Sequence, residues 1–220
     1  MKFSALAFDL DGTLYPACRL NFRLLPFLLK EQRLLRAMNR ARMQLRNSGA
    51  YEEDFYETQA RLMAEILNEP AEKVKERTER LVYRGWEPLF KKVRLFPHAR
   101  ECLDAFRKAG IRLGLLSDFP PEAKLEHLRI SDCWEAVLCS ERVGRLKPDP
   151  ASFLELASRM GTPPEQILYV GNSVSYDVAG AHNAGMKAAL IRPKWKKSHL
   201  QAAPDFVFYD YRQLRDYVLN

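Results

Sequence analysis

Cysteine is scarce in this chain, and it is not arranged to hold anything. The four cysteines, Cys18, Cys102, Cys133 and Cys139, show no paired metal spacing. They read as reduced thiols of a cytoplasmic protein rather than as a disulfide framework. No apolar stretch approaches the length of a membrane span, so no membrane partner is expected. The first apolar run begins within three residues of Met1 with no basic leader and no small-residue cleavage site, so no signal peptide is expected. Internal repeats and low-complexity tracts are absent. The net charge of +7 invites a nucleic-acid reading. However, no nucleic-acid module is present, and the basic residues gather in one helical segment rather than beside interleaved aromatics. A basic solvated surface is the expectation, with no nucleic-acid partner.

What is present is an ordinary globular composition: 220 residues, 47% hydrophobic and 29% charged. One domain with a modest insertion fits that length. The most informative stretch runs Phe3-Ser4-Ala5-Leu6-Ala7-Phe8-Asp9-Leu10-Asp11-Gly12-Thr13. An apolar run of strand length, apolar on both faces, suits a central parallel strand covered by helices. It ends in two acids one residue apart, which on extended backbone face one spot. Ligands of open α/β sheets bind beyond such strand ends. Two acids there can divide nucleophilic and acid–base work, with a divalent cation offsetting their repulsion. Asp-x-Asp-Gly also begins turns and calcium loops. The Leu14, Tyr15 and Pro16 that follow supply no calcium ligands, so calcium is rejected.

From about Cys18 to Val93 the apolar period becomes helical. Leu24, Leu25, Leu28, Leu29, Leu34, Leu35 and Met38 mark a first helix that ends at Asn47-Ser48-Gly49. Tyr51 to Leu67 marks a second, and Pro70 to about Tyr83 a third. Arg33, Arg36, Arg40 and Arg42 read as a solvated face of the first. From Leu95 helices and strands alternate. A helix from Phe96-Pro97 to Gly110 leads to strands at Ile111–Leu116, Ala136–Cys139, Ile167–Gly171, Lys187–Ile191 and Phe206–Phe208. Asp149-Pro150 opens a helix as N-cap and N1, Thr162 to Glu165 reads as a capping box, and Tyr211 to Leu219 is a closing helix. The fold expected is a Rossmann-like, doubly wound parallel α/β sheet over 1–17 and 94–220, with an all-helical insertion over 18–93.

Three further signals stand at strand ends. Ser117 and Asp118 close one strand, where the Ser117 hydroxyl and neighbouring backbone amides can hold a phosphate oxygen. Lys147 lies just before a helix, as a point charge able to reach an anion. Gly171-Asn172-Ser173-Val174-Ser175-Tyr176-Asp177 follows another strand, with Ser173 a helix cap and Asp177 an acid in the first turn.

In this order the signals resemble the four motifs of the haloacid dehalogenase (HAD) superfamily, over essentially the whole chain. Asp9 and Asp11 look like motif I, Ser117 like motif II, Lys147 like motif III, and Asn172 with Asp177 like motif IV. The helical insertion resembles the family's cap. The resemblance implies a phosphatase in which Asp9 is the nucleophile that forms an aspartyl-phosphate and Asp11 the general acid and base. It also implies that Ser117, Asp118 and Lys147 hold the phosphoryl group of a small phosphorylated substrate. Mg²⁺ would be held by Asp9, the carbonyl of Asp11, Asn172 and Asp177. Family dehalogenases usually lack the second motif I acid, so Asp11 argues for phosphoryl chemistry. Asn172 departs from the usual Gly-Asp-Ser, and weaker Mg²⁺ affinity is the expected result. Tyr15, Cys18 and Arg19 follow motif I closely enough to lie near the entrance. A phosphomutase and a binding protein with a decayed metal site are the alternatives, and both a monomer and a dimer are open.

Overall fold

The computed structural model describes residues 2–17, 30–48, 54–85, 90, 93–193 and 203–220. The expected helical positions Leu24 to Leu29, and Cys18, Arg19 and Tyr51, lie outside them. Strand β1 (Ala5–Phe8) is buried along its length, and its side chains alternate between two cores. Leu6 and Phe8 enter one cluster, Ala5 and Ala7 the other. A strand apolar on both faces needs cover on both faces, and the chain supplies it.

After β1 the described chain resumes in three inserted helices. Helix α1 is Gln32–Asn47. Helix α2 is Phe55–Leu67, capped by Asp54, whose carboxylate accepts the Tyr56 and Glu57 N–H groups. Helix α3 is Ala71–Thr78, continued by a π-turn over Glu79–Tyr83. Leu34, Met38, Met63, Val74 and Val82 pack into their own cluster. The sheet then completes in order: α4 (Ala99–Lys108), β2 (Arg112–Ser117), α5 (Glu122–Leu128), β3 (Ala136–Cys139), α6 (Ser140–Val143), α7 (Pro150–Arg159), β4 (Ile167–Gly171), α8 (Ala179–Asn183), β5 (Lys187–Ile191), β6 (Phe206–Phe208) and α9 (Tyr211–Leu219).

The strand order is β3-β2-β1-β4-β5-β6, every pair parallel. Helices α4 and α9 cover the Leu6–Phe8 face through Leu103, Phe106, Leu214 and Val218. Helices α7 and α8 cover the other through Phe153, Leu156 and Ala181. This is the doubly wound parallel sheet that the alternation predicts. Because β2 and β4 flank β1, the order reverses at β1, and a crevice opens beyond its carboxyl end.

Several local expectations change. The helix expected from Phe96-Pro97 begins at Ala99, because His98 takes a left-handed backbone at φ 63°. Thr162 forms no capping box. Its hydroxyl donates to the Met160 carbonyl at 3.1 Å, and the short 3₁₀ turn Pro164–Gln166 starts from Pro163. The segment after β4 opens as a π-turn over Val174–Val178 before α8. Cys102, Cys133 and Cys139 are buried free thiols. Among the described residues, no helix is long and apolar enough to cross a membrane.

Candidate active site

Asp9 follows β1 directly, and its N–H continues the sheet by donating to the Val170 carbonyl at 2.9 Å. Its side chain is buried. One carboxylate oxygen accepts from Lys147 Nζ at 2.7 Å and the other from the Thr13 hydroxyl at 2.7 Å. Lys147 precedes the Pro148-Asp149-Pro150 turn, where Asp149 caps α7 by accepting the Ala151 N–H. The turn directs the lysine inward, and Lys147 Nζ also donates to Asp177 at 2.7 Å and to the Tyr169 hydroxyl at 3.4 Å.

Asp177 is fixed from below. Its second oxygen accepts the backbone N–H groups of Asn172 (3.0 Å) and Ser173 (2.9 Å). Gly171 makes this possible, since a Cβ there would overlap the Asp177 carboxyl. Ser173 caps the turn through the Tyr176 N–H at 3.2 Å, as expected.

The electrostatics follow from one ammonium shared by two buried acids. Burial pushes the Asp9 carboxyl up to about 7, against the pull of Lys147 and with the repulsion of Asp177. Burial works to lower the Lys147 pKa, but the Asp177 and Asp9 carboxylates outweigh it and hold it well above the ordinary lysine value. The lysine therefore stays charged in the interior.

Asp11 turns toward the helical insertion. Both its oxygens accept from Lys124 Nζ, at 2.6 and 2.8 Å, and one also accepts from the Tyr15 hydroxyl. The Asn172 amide donates to the Asp11 carbonyl at 3.3 Å. It fits there because residue 12 is glycine at φ +88°, where a Cβ would overlap that amide.

Ser117 ends β2 beside β1, fully buried, and its hydroxyl accepts the Phe119 N–H at 3.3 Å. The Asp118 carboxylate accepts the Lys147 N–H at 3.3 Å and is otherwise taken up by the insertion and α6. It accepts from Arg46 at 2.7 Å and from Ser140 at 2.6 Å, and it lies 3.7 Å from Arg42. Burial works to raise its pKa, but Lys147 first, then Arg42 and Arg46, outweigh it and hold the carboxyl below the ordinary carboxylate range. Arg42 is not on the solvated face either. It is buried and paired with Glu141, whereas Arg33, Arg36 and Arg40 are exposed.

Among the described residues, no three His, Cys, Asp or Glu side chains gather as a metal cage. The Asp9 carboxylate and the Asp11 carbonyl form a sparser set of hard oxygen donors, with the Asn172 amide, whose NH₂ donates to that carbonyl, beside them. Such a set fits Mg²⁺, which takes one or two carboxylates and keeps several waters. Both oxygens of Asp177 are engaged with Lys147 and the loop amides, as both of Asp9 are with Lys147 and Thr13, so either acid gives up a partner to meet a cation.

Three groups at the site were not marked as such by the sequence: Thr13 on Asp9, Lys124 on Asp11, and Tyr169, whose hydroxyl donates to the Leu116 carbonyl at 3.2 Å. Tyr15, expected only near the entrance, reaches Asp11 itself. Beside Asp11 a cavity of about 740 Å³ opens between the inserted helices and the sheet.

The chain matches the model of the haloacid dehalogenase-like hydrolases over residues 3–185 and belongs to that family. A glyceraldehyde 3-phosphate phosphatase of Methanopyrus kandleri is 29% identical over 97% of this chain and 96% of its own length. A phosphoglycolate phosphatase of Salmonella typhi is 32% identical over 54% of this chain and 49% of its own. Two solved structures share the fold. A 2-haloacid dehalogenase from Pseudomonas syringae pv. Tomato superposes with TM-score 0.69 at 23% identity, covering 99% of this chain and 98% of its own. A HAD phosphatase from Thermococcus onnurineus superposes with TM-score 0.66 at 24% identity, covering 98% and 97%.

Proposed function

We propose that this hydrolase is a Mg²⁺-dependent phosphatase that cleaves a small phosphomonoester through an aspartyl-phosphate on Asp9. The observation that carries the reading is the buried chain Asp9–Lys147–Asp177 with a second acid, Asp11, two residues after the first. A dehalogenase has no use for that second acid, because no leaving oxygen needs a proton. The phosphatase names of the similar proteins support the same choice.

In this mechanism a carboxylate oxygen of Asp9 attacks phosphorus, and the Thr13 hydroxyl and Lys147 ammonium hold it in place. Lys147 also offsets charge as the phosphoryl group arrives. Ser117, at the adjacent strand end, offers its hydroxyl to a phosphoryl oxygen. Asp11 gives a proton to the leaving oxygen, then takes one from the water that cleaves the acyl-phosphate. Asp9, the Asp11 carbonyl, Asn172 and Asp177 would hold Mg²⁺, which when bound shields the approach of one anion to another. In domain terms, 1–17 and 94–220 form the catalytic core and 18–93 the cap. A cytoplasmic site of action suits the three buried free thiols.

The test is phosphate release from a panel of phosphomonoesters with and without Mg²⁺, run beside Asp9→Asn. Metal-dependent turnover lost in Asp9→Asn is the expected result. Turnover that survives in Asp9→Asn sinks the covalent route.

A further inference from the structure

The cavity next to Asp11 is where a leaving group would sit, and its walls do not match a small polar alcohol. Its volume of about 740 Å³ lies in the range that holds a drug-sized molecule. A two- or three-carbon alcohol would leave most of it to water. The walls carry Tyr15, Met63, Val82, Tyr83, Phe90 and Phe119.

The charges around the cavity are already paired. Lys124 is held by Asp11 and Arg84 by Glu79 at 2.9 Å, while Lys75 is bonded to Glu57 and Arg142 to Glu122. Among the described lining residues, every cation has an acid of its own. Three of these pairs are exposed and only weakly held, so a second anionic group such as a carboxylate or another phosphate would gain a cation only by displacing a carboxylate already in place. The arginines of α1 do not fill that need. Arg42 is taken by Glu141 and Arg46 by Asp118, and Arg33, Arg36 and Arg40 are not among the lining residues.

The polar rim, with Asp54, Gln59, Glu79 and Glu122, meets only part of the hydration that a charged or hydroxyl-rich leaving group gives up between walls that are mostly apolar. An apolar group, above all a ring against these aromatic walls, is driven in by its own removal from water.

Resting on the phosphatase reading above, we propose that the substrate is the phosphomonoester of a bulky, uncharged, largely apolar alcohol of the arylalkyl class. The phosphoryl group goes to Asp9 and then to water, and the freed alcohol leaves through the cavity with the proton that Asp11 supplies.

The experiment compares kcat/KM for 2-naphthylmethyl phosphate and benzyl phosphate with that for phosphoglycolate and glycerol 3-phosphate. All four release primary alcohols, so ring and charge are the main variables. Acetyl phosphate, whose leaving group is too small to fill the cavity, reports the phosphoryl chemistry itself. The expected result is a preference of about tenfold or more for the arylalkyl esters, with 2-naphthylmethanol a competitive inhibitor and glycerol none. Val82→Asp, which puts a charge in the wall, should lower the ratio of naphthylmethyl to acetyl phosphate turnover by about tenfold. If that variant does not fold, the wild-type comparison still decides. Equal or better use of phosphoglycolate or glycerol 3-phosphate overturns this inference and leaves the phosphatase reading standing. Phosphate release from none of the five, acetyl phosphate included, overturns both.

Discussion

Lys147 Nζ stands 2.7 Å from a carboxylate oxygen of Asp9 and 2.7 Å from one of Asp177, so a single buried ammonium serves two buried acids. Removing it leaves two carboxylates facing each other without a cation. Lys147→Met should therefore lose about 3–5 kcal/mol of stability as well as activity. Adding Asp177→Asn to that variant should recover part of the stability and none of the activity. Urea unfolding of the wild type, the two single variants and the double variant measures this coupling.

Lys124 lies against Asp11 as Lys147 lies against Asp9. In the proposed mechanism it orients Asp11, the acid for the leaving oxygen. In Lys124→Met, kcat should fall by about two orders of magnitude, within the usual worth of a well-placed acid or base. Lys124→Arg keeps the charge and should recover part of the loss. Steady-state kinetics on a turned-over ester reads both, and unchanged kcat in Lys124→Met would remove Lys124 from the mechanism.

Asn172 brings an amide to the Asp11 carbonyl where a carboxylate would bring charge. Asn172→Asp should lower the Mg²⁺ concentration for half-maximal activity by about tenfold. A Mg²⁺ titration at fixed substrate gives the answer, and an unchanged midpoint would show that residue 172 does not face the ion.

Away from the site, Asp205 ties β5 to the loop before β6. Burial works to raise its carboxyl pKa, but the Ala188 N–H, Lys187 and His182 outweigh it and bring it from 3.8 to about 2. A carboxyl whose folded pKa is lowered contributes stability above its unfolded pKa. That contribution fades as pH falls from 3.8 through about 2. Asp205→Asn should therefore cost about 1 kcal/mol at neutral pH, allowing for solvent screening, and the gap to wild type should close as the acid limit is approached. Denaturant midpoints at matched pH values follow it.

The legible and illegible parts of this molecule differ in kind. Asp9, Lys147 and Asp177 can be read because each stands at a strand end or beside a capped helix, where local pattern fixes position. Lys124 carries no such mark. It lies inside α5 between Ala123 and Leu125, and its partner Asp11 is 113 residues away. Arg42 stands in one basic run with its neighbours, yet at 3.6 residues per turn it lies about 200° around the helix from Arg40. Arg33 and Arg40 share a face, and Arg42 falls on the buried one, where it meets Glu141. Helical periodicity sorts the arginines of α1 as it sorts the apolar residues. The Asp118 side chain was unreadable because its direction depends on Arg42 and Arg46 arriving from the insertion.

The sheet order also governs when the enzyme comes into being. β1 is the central strand, yet its partner β2 is not synthesised until after the inserted helices. Its other partner, β4, comes later still. Lys147 and Asp9 are 138 residues apart along the chain, and the Tyr211 hydroxyl that donates to the Thr13 carbonyl is 198 residues from it. Closing loops of that length is slow, because chain entropy is lost before any contact repays it. The inserted helices, whose contacts with one another are local, can form on the ribosome well before the sheet does. The first acid of the site thus waits for its lysine until residue 147 of the 220 has emerged.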